Sequence, residues 1–246
     1  IFRIEVKLLT EKNLDFLDKL KSLLSDFKIH NLNLNAKNTI LFVDIDDTLF
    51  KTTAKVIVED KDTNEEIKQL DSMEFNTYKL QPNEKYNFKQ FKDSKIFNDT
   101  AKVINSTVRK LHNFQKTFKN AEGYDHNKII FITARADMND KNIFLQSFIK
   151  AGIKVGDKSR VYIRRSGSEL LNDSESIHEA KTRIMKEYLN SYPYEKAVFF
   201  DDSKDNLKSF MSLENEFNNT EFIAIEVSSG LLYKWSKKKK QIKPIA

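Results

Sequence analysis

The chain has 246 residues and no cysteine, and its 42 Lys and Arg residues against 36 Asp and Glu residues give a formal charge of +6. A chain without cysteine holds no disulfide framework, no thiolate metal site and no Cys nucleophile. No apolar run approaches the ~20 residues that a spanning helix requires, so we expect no membrane span and a cytoplasmic protein. The length allows one substantial α/β core with an insertion.

Residues 1–37 are predicted to form an accessory β-α element. Apolar and charged residues alternate strictly over residues 2–8, which is the pattern of a half-buried strand. Thr10 can cap the helix that follows, in which leucines recur at helical spacing. We interpret this element as packed on the core or on a protein partner.

The rest of the chain alternates short apolar runs with helical patterns. Five runs have the length and branched composition of buried parallel strands: 40–43, 128–133, 160–163, 196–200 and 222–227. Helical patterns cover residues 100–119, 140–151, 175–189 and 204–213. Strands that alternate with helices are joined by βαβ crossovers. We therefore predict an α/β fold, a three-layer α/β/α sandwich with a mostly parallel, Rossmann-like sheet, over residues 38–230.

Two segments depart from this alternation. Residues 55–59 and 65–70 flank a turn-rich loop, which predicts a β-hairpin within an insertion over residues 50–98. The aromatic residues from 73 to 97 follow no clear period, and we expect them to hold an irregular segment to the core. Residues 231–246 contain the run Lys-Trp-Ser-Lys-Lys-Lys-Lys and are predicted to form a basic, solvated tail.

The first apolar run ends in three carboxylates within four positions, Asp44, Asp46 and Asp47. Carboxylates this close at the end of a buried strand repel one another unless a cation or a phosphoryl group meets them. Two further predicted strands end in polar residues, one at Thr133-Ala-Arg135 and one at Asp201-Asp202. Because ligands bind at the carboxyl ends of the strands in an open parallel sheet, we expect these tips to form one pocket.

These residue types suit phosphoryl transfer, which needs an in-line nucleophile, a proton donor for the leaving group and positive charge on the phosphoryl oxygens. Asp44 can act as the nucleophile. Asp46, two residues on, can protonate the leaving oxygen and later activate water. Asp201 and Asp202 would complete an oxygen-ligand site suited to Mg²⁺, and Thr133 offers a hydroxyl to a phosphate oxygen.

Several candidate residues also have a structural interpretation. Lys181, near the start of the helix before the fourth strand, can balance the remaining negative charge or can be an ordinary solvated lysine, with Lys186 and Arg135 as substitutes. Thr133 can cap a helix instead. Thr48 and Arg135 are the candidate substrate-binding residues, although Arg135 can equally pair with an acid.

Taken together, the motifs resemble those of the haloacid dehalogenase-like (HAD) superfamily. The run over residues 40–49, Ile-Leu-Phe-Val-Asp-Ile-Asp-Asp-Thr-Leu, resembles the first motif, an apolar strand followed by Asp-x-Asp-x-Thr. Ile-Ile-Phe-Ile-Thr133 resembles the second motif, and Lys181 is positioned like the third-motif lysine. Residues 198–206 resemble the acidic fourth motif. The resemblance covers roughly residues 39–227, with the motifs in the right order.

This resemblance implies a mechanism and a metal site. Asp44 would be the nucleophile and Asp46 the general acid/base. Mg²⁺ would bind the Asp44 side chain, the Asp46 backbone carbonyl and a fourth-motif acid, for which we favour Asp202 over Asp201. The acid at position 46 implies a phosphatase-type member, and the hairpin resembles the superfamily's flap, which implies a small cap. Asp47 stands where many members have Gly.

We therefore expect a Mg²⁺-dependent phosphatase that forms an aspartyl-phosphate and acts on a nucleotide, a nucleic-acid end or a phosphoprotein. A small cap leaves the site open to bulky substrates, and a polyanion would suit the run Lys158, Arg160, Arg164 and Arg165. The alternative is a catalytically silent HAD-fold interaction protein that docks through residues 1–37 and the basic tail. A fainter similarity to HAD-type proteins of tailed bacteriophages implies a phage-encoded or virion-associated protein.

Overall fold

The computed structural model describes residue 34 and residues 37–118, 124–168 and 175–235. Most of the predicted N-terminal element and the lysine-rich end of the predicted tail lie outside the described residues. The strands, in chain order, are β1 (Thr39–Val43), β2 (Phe50–Lys51), β3 (Val56–Asp60), β4 (Glu66–Leu70), β5 (Glu84–Asn87), β6 (Lys102–Val103), β7 (Lys128–Thr133), β8 (Val161–Arg165), β9 (Lys196–Asp201), β10 (Glu221–Ser228) and β11 (Leu231–Lys234). The α-helices are α1 (Ser72–Thr77), α2 (Ser94–Thr100), α3 (Asn105–Thr117), α4 (Lys141–Lys150), α5 (Ile177–Ser191) and α6 (Lys204–Ser212).

The fold is α/β with a mostly parallel central sheet. The strand order is β11-β10-β9-β1-β7-β8, and β11 is antiparallel to its neighbour while the other pairings are parallel. All five predicted strands are present, with ends shifted by at most two residues. Because β1 lies between β7 and β9, every residue of this strand is buried.

Alternate side chains of β1 enter two separate hydrophobic clusters. Leu41 and Val43 belong to a cluster that also contains buried residues of α3 and α4, whereas Ile40 and Phe42 belong to one that contains residues of α5 and α6. This follows from the alternation of side chains along a strand. Full burial of each such side chain stabilises the fold by about 1.5–3 kcal/mol, so the apolar run that predicted β1 is also what anchors it.

The insertion after β1 forms a small three-stranded antiparallel sheet, with the order β4-β3-β5, which we call the cap sheet. The predicted hairpin is confirmed as β3 and β4. The insertion does not end at residue 98, because β2 pairs with β6 at residues 102–103 and closes its base. Residues 73–97 are not irregular either, since they include β5 and parts of α1 and α2, and the side chain of Phe97 is fully buried in the core.

The predicted basic tail begins later than residue 231. Residues 231–234 form β11, whose Leu232 is buried and which extends the central sheet. Trp235 packs against the core cluster of α5 and α6, and its indole Nε1 donates to Glu226 at 3.2 Å. The tail prediction was wrong here because the apolar residues of this segment pack on the core before the lysine run begins.

Candidate active site

The carboxyl ends of three neighbouring strands carry the predicted site residues. Asp44 directly follows β1, Thr133 ends β7 and Asp201 ends β9. Since β1 is paired in parallel with both β7 and β9, these three ends lie side by side at one edge of the sheet. The predicted convergence of the strand ends is therefore confirmed.

Lys181 lies between two buried carboxylates at this edge. Its Nζ donates to Asp44 Oδ1 at 2.6 Å and to Asp201 Oδ2 at 2.9 Å, and all three residues are at most 4% exposed. A capping box of Ser176 and Glu179 fixes the start of α5 five residues before the lysine. Of the two interpretations of Lys181, a buried cation that balances the carboxylates is the one that the structure shows.

The proposed substitute lysine lies elsewhere on the same helix. Lys186 is partly exposed, and its Nζ forms a surface ion pair with Glu216 at 2.7 Å. Between the two lysines of α5, only Lys181 points at the ends of β1 and β9. The helical period explains this difference, because positions five residues apart face different directions on a helix of 3.6 residues per turn.

The charges of this cluster perturb one another strongly. Burial raises the pKa of Asp44 well above its usual value, the ammonium of Lys181 opposes this shift, and the charge of Asp201 adds to it. Burial disfavours the charged form of Lys181, but the nearby carboxylates outweigh this effect and raise its pKa. The buried cluster therefore has more negative charge than a single ammonium balances.

The two adjacent acids at the end of β9 have different surroundings. Asp201 is fully buried, and Asn206 Nδ2 donates to both of its oxygens at 2.9 and 3.0 Å, while the Ser203 backbone amide donates at 2.8 Å. Asp202 is an exposed residue, and its Oδ1 accepts a long hydrogen bond of 3.4 Å from the buried Thr48 hydroxyl. Asp202 is thus the member of the pair that a bound ion can reach.

The carboxyl of Asp202 nevertheless lies close to protein atoms that exclude water. This desolvation, together with repulsion by Asp201, raises the pKa of Asp202 to about 7. The charge of Asp47 adds to the effect. Asp47 itself has a φ of 54°, and its backbone amide donates to the Phe50 carbonyl at 2.8 Å. The third acid of the motif therefore sits at a tight turn beside Asp202.

Asp46 is paired with Arg135. The Nε and Nη2 atoms of Arg135 donate to Asp46 Oδ2 at 2.8 Å and to Asp46 Oδ1 at 2.7 Å, and the Thr133 hydroxyl donates to Asp46 Oδ2 at 3.4 Å. Of the two interpretations of Arg135, pairing with an acid is the one that the structure shows. Thr133 does not cap a helix, because α4 begins at residue 141 and is capped by Asp140.

The basic run proposed to face a polyanion is largely engaged within the protein. Arg160 Nη2 donates to the Phe118 carbonyl at 2.8 Å and its guanidinium stacks on that ring. Arg164 pairs with Glu187 at 3.0 Å, and Arg165 pairs with Asp137 at 2.9 Å. These arginines brace the edge strand β8 and its surroundings, so the run gives no support for a polyanion surface.

Within the described ranges, no three His, Cys, Asp or Glu side chains form a group that could hold a metal ion by themselves. Mg²⁺ does not need such a cage, because it keeps several waters and binds through one or two carboxylates. Asp44 and Asp202, with the Asp46 backbone carbonyl, are a hard oxygen donor set of this size. The excess negative charge around Asp44 also fits a divalent cation.

The sequence does not predict that Arg135 contacts residues of the insertion. Its Nη1 donates to the Phe91 carbonyl at 2.9 Å and its Nη2 to the Thr52 hydroxyl at 3.3 Å. The aromatic residues of the insertion, for which the sequence predicts no role in the site, were the available clue.

No helix among the described residues is long and apolar enough to cross a membrane. No family model, curated protein or solved structure matches this chain.

Proposed function

We propose that this chain is a Mg²⁺-dependent phosphomonoesterase of the HAD-like type, with a three-layer α/β/α catalytic domain that begins near residue 38 and includes β11, and with the insertion as a small cap. The observation that carries the proposal is the buried ammonium of Lys181 between Asp44 and Asp201 at the carboxyl edge of the sheet. Burying three charges is costly, and a functional role explains why a protein keeps them. Perturbed, buried charges in this location are typical of catalytic centres.

The reaction would proceed in two displacements at phosphorus. In the first, the free oxygen of Asp44 attacks phosphorus, the bond from phosphorus to the leaving oxygen breaks, and Asp46 gives that oxygen its proton. In the second, Asp46 accepts a proton from water as the water oxygen attacks phosphorus and the bond to Asp44 breaks. Lys181 holds the other oxygen of Asp44 throughout and keeps the carboxylate oriented.

The residues that would hold Mg²⁺ are Asp44, Asp202 and the backbone carbonyl of Asp46, with Asp201 behind them. A bound Mg²⁺ would neutralise charge on the phosphoryl oxygens and on the attacking carboxylate. Thr48 fixes the Asp202 carboxyl through its hydroxyl. Asn206 and Lys181 donate to both oxygens of Asp201, so this acid would contribute negative charge to the site rather than a direct ligand.

Release of phosphate from 4-nitrophenyl phosphate, with Mg²⁺ and with a chelator, tests this proposal. We expect turnover only with Mg²⁺ and its loss in Asp44→Asn. Asp205→Asn is the control, because Asp205 also follows a strand of the central sheet, at the start of α6, but is exposed and pairs with Lys208. Turnover by Asp44→Asn at the wild-type rate would contradict the mechanism.

The substrate class needs a separate comparison. The cap sheet is a small covering, so we propose an accessible phosphate on a nucleotide, a nucleic-acid end or a phosphoprotein. Mononucleotides, oligonucleotides with 3′ or 5′ phosphates and phosphopeptides would be compared by kcat/KM. Absence of turnover on all of them, with binding of a partner through residues 1–37, would instead favour the silent interaction protein.

A further inference from the structure

The Arg135 side chain is committed entirely to groups within the protein. It is 3% exposed, its Nε and Nη2 form a bidentate pair with Asp46, and its Nη1 donates to the Phe91 carbonyl. A bidentate guanidinium–carboxylate pair fixes the plane of the carboxylate as well as its position. Every nitrogen of the guanidinium therefore has a partner, and Arg135 supplies the short contacts that orient Asp46, since the Thr133 hydroxyl donates to it at 3.4 Å.

The partners of Arg135 on the other side belong to the insertion. Its guanidinium carbon lies 4.7 Å from the centroids of both the Phe91 and Phe97 rings, a distance at which cation–π attraction is effective. Phe97 is buried in the main core. Phe91 instead packs against the hydrophobic cluster of the cap sheet. Arg135 thus contacts Asp46 after β1, Phe97 of the core and Phe91 of the cap cluster at once.

The segment around Phe91 is also tied to the loop that carries Arg135. The Asn139 backbone amide donates to the Lys92 carbonyl at 3.0 Å, and the Ser94 amide donates to Asn139 Oδ1 at 2.9 Å. Residues 91–94, which we call the cap segment, and the loop after β7 therefore hold each other in one arrangement. A shift of the cap segment would move the acceptor and the ring on which the guanidinium rests.

We propose that Arg135 is a positioning residue through which the cap segment sets the orientation of Asp46, and that it is not a ligand of the substrate phosphate. This inference rests on the proposed phosphatase function, in which Asp46 is the proton donor and acceptor. Packing of Phe91 holds the guanidinium, and the guanidinium holds the carboxylate. Lysine cannot replace it, because an ammonium cannot form the planar two-point contact.

The leaving group distinguishes positioning from phosphate binding. A nitrophenolate leaves readily without a proton, whereas an alkoxide needs one from Asp46. Arg135→Met should therefore lower kcat/KM, which reports only the first displacement, about 100-fold on an alkyl phosphate, with a much smaller loss on 4-nitrophenyl phosphate. A lost phosphate contact would instead lower kcat/KM equally on both substrates, and Arg135→Lys should not restore the rate.

A double-mutant cycle gives the decisive comparison. If Arg135 acts only through Asp46, Asp46→Asn with Arg135→Met should be no slower on the alkyl phosphate than Asp46→Asn alone. Multiplied losses, or an equal loss of kcat/KM on both substrates, would overturn the inference and assign Arg135 to phosphate binding while leaving the proposed function intact. A wild type without Mg²⁺-dependent turnover would overturn both.

The cap side of the contact is tested without touching Arg135. Phe91→Leu should lower the ratio of kcat/KM on the alkyl phosphate to kcat/KM on 4-nitrophenyl phosphate, as Arg135→Met does. Phe75→Leu is the matched control, because its ring belongs to the same cap cluster but packs on Tyr86 and Phe88, and it should leave the ratio unchanged. Equal ratios in Phe91→Leu and Phe75→Leu would overturn the coupling of the cap to Asp46.

Discussion

Lys181→Met is expected to destabilise the protein strongly, because it removes the cation shared by two buried carboxylates. The Nζ atom lies 2.6 Å from Asp44 and 2.9 Å from Asp201, and the three side chains are at most 6% exposed. Removing one partner of a buried ion pair costs about 3–5 kcal/mol. A domain of ordinary stability has only about 5–15 kcal/mol to lose, so urea unfolding should show a large shift of the midpoint.

The same substitution at Lys186 gives the matched control. Lys186 lies on the same helix, and its ion pair with Glu216 joins side chains that are 38% and 53% exposed. Exposed pairs contribute about 0–1 kcal/mol. The difference between the two variants therefore isolates the effect of burial from the loss of a lysine on this helix.

The destabilisation should also depend on pH. Burial already raises the pKa of Asp44, and Lys181→Met removes the charge that opposes this shift. A carboxyl whose pKa is higher in the folded state than in the unfolded state destabilises the fold as pH rises from the unfolded value of about 3.9. The cost of Lys181→Met should be largest at pH 7 and smaller at pH 5. A cost below about 1 kcal/mol, the level of an exposed pair, or an equal cost at both pH values would refute the reasoning.

A Cβ at Gly167 would lie 2.1 Å from the backbone oxygen of Ala134, so Gly167→Ala should lower the free energy of unfolding by about 1–3 kcal/mol; urea unfolding at the wild-type midpoint would contradict this. Asp47 has a φ of 54°, where a Cβ costs about 1–2 kcal/mol. Asp47→Gly should therefore unfold at the urea concentration of the wild type or at a higher one. Asp47→Ala should unfold at a lower urea concentration than Asp47→Gly, and the reverse order would exclude backbone strain at this position. Mg²⁺ at about 100 times its Kd should stabilise the wild type by about 2.7 kcal/mol and raise its Tm. The same Mg²⁺ concentration should not raise the Tm of Asp202→Asn, and an equal rise in Tm for both proteins would exclude Asp202 as a ligand.

The sequence predicts the location of the site well because parallel strands place their carboxyl ends at one edge. An apolar run followed by acids at Asp44, and a second one followed by Asp201, predict that both acids lie at the carboxyl edge of the sheet, and they meet because β1 and β9 are neighbours. The helical pattern before β9 offers Lys181 and Lys186 as the nearby cation, and the structure shows that Lys181 is the one that reaches the acids. These are consequences of periodicity and topology, which short stretches of sequence carry.

The sequence does not predict contacts for which a side chain has several possible partners in the folded protein. Arg135 can pair with any nearby acid or with substrate, and only the positions of Phe91 and Asp46 decide between them. Trp235 was assigned to the tail because the lysine run dominates the local composition, although the ring packs on the core. Such contacts join residues far apart in the chain, so no local pattern reports them.

The central claim is that Asp44 becomes covalently phosphorylated, and trapping that intermediate tests it most directly. Asp46→Asn would be mixed with 4-nitrophenyl phosphate and Mg²⁺, since its leaving group needs no proton while water attack on the intermediate lacks its base. Acid quenching and peptide mass mapping should find one phosphoryl group, labile to hydroxylamine, on Asp44. Phosphate release without a phosphorylated Asp44, or with the phosphoryl group on another residue, would contradict the account.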